Sequence, residues 1–147
     1  MNSKNTTFKS LYITIGFVFF VFGILKFFPS LSPAEQLAEQ TINKITFGLV
    51  SGKFALFSLA IMESLLGIAF IFQLKKMVII HFALFHMFCT FLPFIFFPEL
   101  TFNSSSTSFS IVGQYIVKNI IIISVLLNLR LAYKANFKTD LVISGSD

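Results

Sequence analysis

Of 147 residues, 56% are hydrophobic and 12% charged, about half the charged share of an ordinary soluble domain. This excludes a water-soluble monomer, because a globule of this size has too little interior to hide 22 Phe residues beside its Leu and Ile. The net charge of +5 sits on Lys and Arg that flank apolar runs, which argues against nucleic acid and for lipid headgroups, and a single Cys excludes an intrachain disulfide or a multi-cysteine zinc site.

Residues 1–10 read as a polar cytoplasmic tail. The first of four apolar stretches then runs from Leu11 to Phe28, long enough to cross a hydrocarbon core of about 30 Å. Lys4 and Lys9 before it resemble a secretory leader, but Pro29-Ser30-Leu31-Ser32-Pro33 is a poor cleavage site, so this is expected to be an uncleaved helix. Ser32 is an N-cap candidate, Pro33 suits the first helical position, and Glu35 completes a capping box. Ala34, Leu37, Ala38, Thr41, Ile42 and Ile45 follow at helical spacing, with Glu35, Glu39, Gln40 and Lys44 on other faces. An amphipathic helix over Ser32 to Thr46, lying at the membrane interface, is expected. It reads first as a plain connector and second as a lid over a pocket.

The second and third spans are Phe54 to Leu74 and Val78 to Phe97, joined by Leu74 to Met77 in an antiparallel hairpin. Pro98 to Ser110, with its Asn-Ser-Ser-Ser-Thr-Ser run, reads as a flexible loop. The fourth span is Ile111 to Ala132, and 133–147 is a second polar tail. Lys4, Lys9, Lys75, Lys76, Arg130, Lys134 and Lys138 all fall on one side of the membrane, which the positive-inside rule makes the cytoplasm. The expected fold is an all-α membrane protein: a four-transmembrane-helix bundle with an interfacial helix between the first and second spans. Its expected location is a cell inner membrane, with both termini cytoplasmic.

Ionisable groups at membrane depth cost about 2.5–3.5 kcal/mol each on insertion scales and need partners. Glu63, Lys118 and His86 lie about 14, 10 and 16 Å from the same end of their spans by helical rise. Gln114, Tyr115, Lys118 and Asn119 form one polar stripe; His86, Cys89, Thr90 and Pro93 share a face; and Ala60, Glu63 and Gly67 share another. Glu63, His86, Gln114, Tyr115, Lys118 and Asn119 are therefore the candidate pocket, with an ion pair between Glu63 and Lys118. Small residues beside Glu63, and Gly16 and Gly23 on the first span, would let backbones approach closely. Lys26, near the end of its span, reads as a snorkelling anchor. His81 and His86 are about 140° apart on their helix and cannot clamp one metal or haem together. No metal motif, phosphate loop or nucleophile elbow is present.

The runs Gly23-Ile24-Leu25-Lys26-Phe27-Phe28-Pro29, Ser32-Pro33-Ala34-Glu35, Thr41-Ile42, Glu63 to Gly67, His86-Met87, Thr90-Phe91-Leu92-Pro93 and Gly113-Gln114-Tyr115-Ile116-Val117-Lys118-Asn119 resemble DoxX-like bacterial membrane proteins. The resemblance covers Leu11 to Leu131 and implies a four-helix membrane domain over 11–132. The family takes its name from a subunit of a thiosulfate-oxidising, quinone-reducing membrane complex, so the resemblance implies a redox association, with a quinone as the candidate ligand and redox proteins as candidate partners. An accessory subunit is expected rather than a stand-alone enzyme, with a carrier or channel for a small polar solute or protons, or a purely structural partner, as alternatives.

Overall fold

The computed structural model describes residues 2–28, 31, 34–74, 76–103 and 108–144, with side chains between 8 and 135. Runs of Leu, Ile, Phe and Ala propagate as helices, and four helices are long and apolar enough to cross a membrane: Phe8–Leu25, Gly52–Ile71, Lys76–Phe96, which carries Pro93 near its end, and Ile111–Ala135. This is a multi-pass, all-helical membrane protein, and among the described residues the only β pairing is an isolated bridge between Phe102 and Phe109. The elements in chain order are α1 (Asn2–Leu25), α2 (Glu35–Ile45), α3 (Gly52–Ile71), α4 (Lys76–Cys89), α5 (Pro93–Phe96), α6 (Pro98–Thr101), α7 (Ile111–Val117) and α8 (Asn119–Ser144).

α1 and α3 pack closest. A Cβ placed on Gly16 would come within 2.8 Å of the Gly67 carbonyl oxygen, and one on Gly67 within 2.5 Å of the Phe20 nitrogen. Gly23 faces Ser64 and Ala60 in the same way. The small-residue faces of the two spans thus meet along an antiparallel crossing, where backbone contact replaces side-chain interdigitation. Away from the glycines, Tyr12, Ile15 and Phe19 join Leu66, Phe70, Ile80, Ala83, Leu126 and Leu129 in one buried core, with Phe19 and Phe70 stacked at 5.9 Å. The opposite faces are lipid-directed: on α4, Phe85 and Phe88 are 67% and 66% exposed, while His86 between them is 7% exposed.

Helix ends differ from expectation in instructive ways. α2 starts at Glu35 after Ala34, whose φ of 58° is left-handed, so the helix begins later than expected; Ser32 and Pro33, on which the expected capping box rests, lie outside the described residues. At the other end of α2, Phe47 takes φ 52°, its amide donates to Lys44 O at 3.4 Å, and Gly48 N donates to Asn43 O at 2.8 Å. That is a Schellman termination. α3 ends identically, with Gln73 at φ 54° and Leu74 N donating to Ala69 O at 2.9 Å. This makes the sharp turn into α4; Lys75 lies outside the described residues.

Two spans are interrupted. Pro93 lacks an amide, so Cys89 O instead accepts from Leu92 N at 3.2 Å, and Phe91 N likewise bonds three residues back to Phe88 O at 3.1 Å. The third span is thereby tightened between α4 and α5. The fourth is tightened at Lys118, whose carbonyl accepts from Ile121 N at 3.1 Å, dividing α7 from α8.

The segment Pro98 to Ser110, expected as a flexible loop, carries structure on both sides of 104–107, which lie outside the described residues. Fully buried Thr101 ends α6, Ser110 N donates to Thr101 O at 3.0 Å, and Phe94, Phe102 and Phe109 form an aromatic cluster with centroids 5.3–5.5 Å apart. Ser110 caps α7, its Oγ accepting from Gly113 N at 3.0 Å and donating to Leu100 O at 2.7 Å. Helix also continues into both polar tails, from Asn2 and to Ser144, since extending a nucleated helix costs little.

Candidate functional site

Where α1 ends, Lys26 follows Gly23 by one turn and therefore keeps to the face that meets α3. Its long side chain lies back along the helix instead of reaching outward. Nζ donates to Phe22 O at 3.3 Å and to Glu63 Oε2 at 2.6 Å, and passes 5.9 Å from the Phe22 ring centroid. The other carboxylate oxygen, Oε1, lies 3.1 Å from His86 Nε2. An ionised carboxylate only accepts, so this contact assigns the imidazole proton to Nε2. The side chains of this Lys26–Glu63–His86 triad, from α1, α3 and α4, are 8–10% exposed. The ion pair expected between Glu63 and Lys118 is not formed, and the residue read as an anchor is the one that neutralises the acid. The cause is the glycine-lined crossing of α1 and α3, which brings Lys26 against Glu63 before any group on the fourth span can reach it.

The triad forms part of the wall of a cavity of about 370 Å³. α2 and the Ala34 that precedes it cover the cavity through Ala34, Leu37, Ala38, Thr41, Ile42 and Ile45, the apolar face expected for that helix. Leu37 and Thr41 are buried there, and Thr41 Oγ1 is satisfied by donating to Leu37 O at 2.7 Å. Of the six candidate pocket residues, Glu63, His86, Tyr115, Lys118 and Asn119 line this space. Gln114 does not: it is exposed, and its Nε2 donates to Phe109 O at 3.3 Å. The whole expected face of the third span, His86, Cys89, Thr90 and Pro93, lines the cavity. Both helix interruptions open onto it and are tied together by Asn119 Nδ2, which donates to Thr90 Oγ1 at 3.1 Å.

Sequence reasoning missed the contribution of Lys26 to the triad and those of Phe19 and Phe22 to the wall. The signal for Lys26 was its position one turn after Gly23, on the small-residue face. His81 stands apart, exposed, with Nδ1 2.8 Å from Met77 O. Cys89 is a free, partly buried thiol. Among the described residues no group of three or more His, Cys, Asp or Glu could hold a metal.

α2 is fastened at its far end. Lys44 Nζ lies 5.2 and 5.0 Å from the ring centroids of Phe96 and Phe97 and donates to Phe96 O at 3.4 Å, a cation–π clasp between α2 and the end of the third span. Chemically, the arrangement is an apolar chamber with one buried acid–base pair, an uncommitted ammonium and a phenol. It suits a mostly apolar ligand with a small polar head. The chain matches no family model, no curated protein and no solved structure.

Proposed function

We propose that this chain is a DoxX-like protein of a cell inner membrane, with both termini cytoplasmic and α2 at the outer interface, that holds a quinone headgroup in the α2-covered cavity and serves a redox or respiratory system as an accessory subunit. The cavity carries this reading. A volume of about 370 Å³ is in the range of small-molecule sites, whose walls are mainly apolar with a few convergent polar groups. Lys118 and Tyr115 bring donors to that space, Glu63 and His86 form an acid–base pair beside it, and Phe19 and Phe22 offer flat apolar surface to a ring. Ionisable groups gathered at one depth from several spans favour a functional site over packing alone. The redox assignment rests on the family resemblance, and the resemblance on the sequence runs that carry it.

The test is binding of a short-chain benzoquinone to gently purified protein. Retention of quinone, or its competition for an immobilised analogue, supports the reading, and loss of binding in Thr41→Trp, which places an indole in the chamber, locates it. Protein that neither retains nor competes for quinone refutes it. For the orientation, a reporter active only outside the cytoplasm, fused after Asp147, should stay silent.

One observation favours a second reading, a carrier for a small polar solute. Two interrupted helices face one cavity, an arrangement by which transporters expose backbone groups to a substrate. Solute flux into liposomes without quinone binding would select it.

A further inference from the structure

The triad satisfies itself. Both Glu63 oxygens have a partner, and Lys26 has a second acceptor in Phe22 O. Lys118 is different. It lines the cavity, sits between α7 and α8 where the helix is tightened, and makes no ion pair or hydrogen bond through its side chain to another described residue. It is also exposed, so neither packing nor a neighbouring acid accounts for it. Tyr115, close to one turn earlier on the same side of the span, lines the cavity too and is placed by an edge-on contact with Phe22 at 6.0 Å. Much of the remaining wall is aliphatic: Leu37, Ile42, Ile45, Leu59 and Ile116. An ammonium at membrane depth needs an acceptor, and beside this one lies empty volume.

Resting on the reading of the cavity as a quinone site, we infer that Lys118, with Tyr115 beside it, is the specificity-determining residue: it holds an acceptor oxygen of the ligand, while the Lys26–Glu63–His86 triad stays closed as a neutralised wall. The site then selects for an oxygen acceptor on an otherwise apolar molecule. A hydrocarbon of the same shape would leave the ammonium unpaired, because the acid facing the cavity, Glu63, is already committed through both oxygens to Lys26 and His86.

Equilibrium binding of decyl-benzoquinone and of decylbenzene to the full chain in nanodiscs, corrected for empty nanodiscs, tests this. The wild type should prefer the quinone by about tenfold or more, the value of one hydrogen bond to a charged group. Lys118→Met should abolish that preference, Lys118→Arg should keep it within about threefold, and the thermal midpoint of Lys118→Met should not fall, because the side chain is exposed and makes no bond to another described residue. A Lys118→Met protein that binds quinone like the wild type overturns the inference and leaves the quinone site standing. Loss of the preference in Glu63→Gln while Lys118→Met retains it also overturns the inference, by moving the ligand oxygen to the triad. A wild type that binds neither probe overturns the cavity reading and this inference together.

Discussion

The coupling between Lys26 and Glu63 can be predicted in magnitude. The two charges are 2.6 Å apart with side chains 10% and 8% exposed, so at an effective dielectric of about 20 they attract by about 6 kcal/mol. Much of that is consumed in removing both groups from water. What survives is the penalty for separating them: Lys26→Met or Glu63→Gln alone should cost about 3–5 kcal/mol, the first because it strands a buried carboxylate and the second because it strands an ammonium. The double variant strands neither, so it should be milder than the sum by about 2–4 kcal/mol. Reversible unfolding in bicelles, followed by helix signal against denaturant, measures the cycle. A second cycle of Glu63→Gln with Lys118→Met serves as the control and should be additive within about 0.5 kcal/mol. Additivity in the first cycle, or strong coupling in the second, would refute the assignment of Lys26 as the partner.

Three further outcomes follow from the packing. Gly67→Leu should destabilise by more than the about 1–3 kcal/mol of ordinary overpacking, since even a Cβ would lie 2.5 Å from Phe20 N and 2.7 Å from Gly16 O; the thermal midpoint in detergent reads it. Lys44→Met should raise amide exchange across 35–45 by about twofold to sixfold, the loss of an exposed cation–π contact worth about 0.5–1 kcal/mol, while exchange in α3 stays constant. Asn119→Leu should cost about 1–3 kcal/mol by removing a donor from Thr90 Oγ1, and Thr90→Val added to it should cost little more if their hydrogen bond is the cause.

The spans were legible because hydropathy and length alone decide them: helix limits at Gly52–Ile71 and Ile111–Ala135 fall close to the apolar runs at Phe54 to Leu74 and Ile111 to Ala132. Faces were legible too, since helical periodicity alone places His86, Cys89, Thr90 and Pro93 together. The ion-pair partner was not. Depth along a span says which groups share a level, but Lys26 and Lys118 both reach the level of Glu63, and the choice depends on which helix crosses α3 most closely. Glycine positions carried that information. The start of α2 was also hidden, because a left-handed Ala34 is uncommon for a residue with a Cβ and a capping-box pattern has no means of announcing it. The order around Phe102 and Phe109 escaped because it comes from aromatic contacts across a polar loop, which composition averages away.

The backbone contact of α1 with α3 sets how the chamber can deform. Two helices touching through glycine have no side-chain layer to compress, so that side behaves as a stiff plate carrying Lys26 and Glu63 at fixed separation. The remaining sides are built from helices already broken at Thr90 to Leu92 and at Lys118, and from α2 held between a left-handed Ala34 and the Lys44 clasp. Any swelling of the chamber by an occupant must therefore be taken up on those sides. His86, which bridges from the compliant side to Glu63 on the stiff one, is the contact that such movement would stretch first.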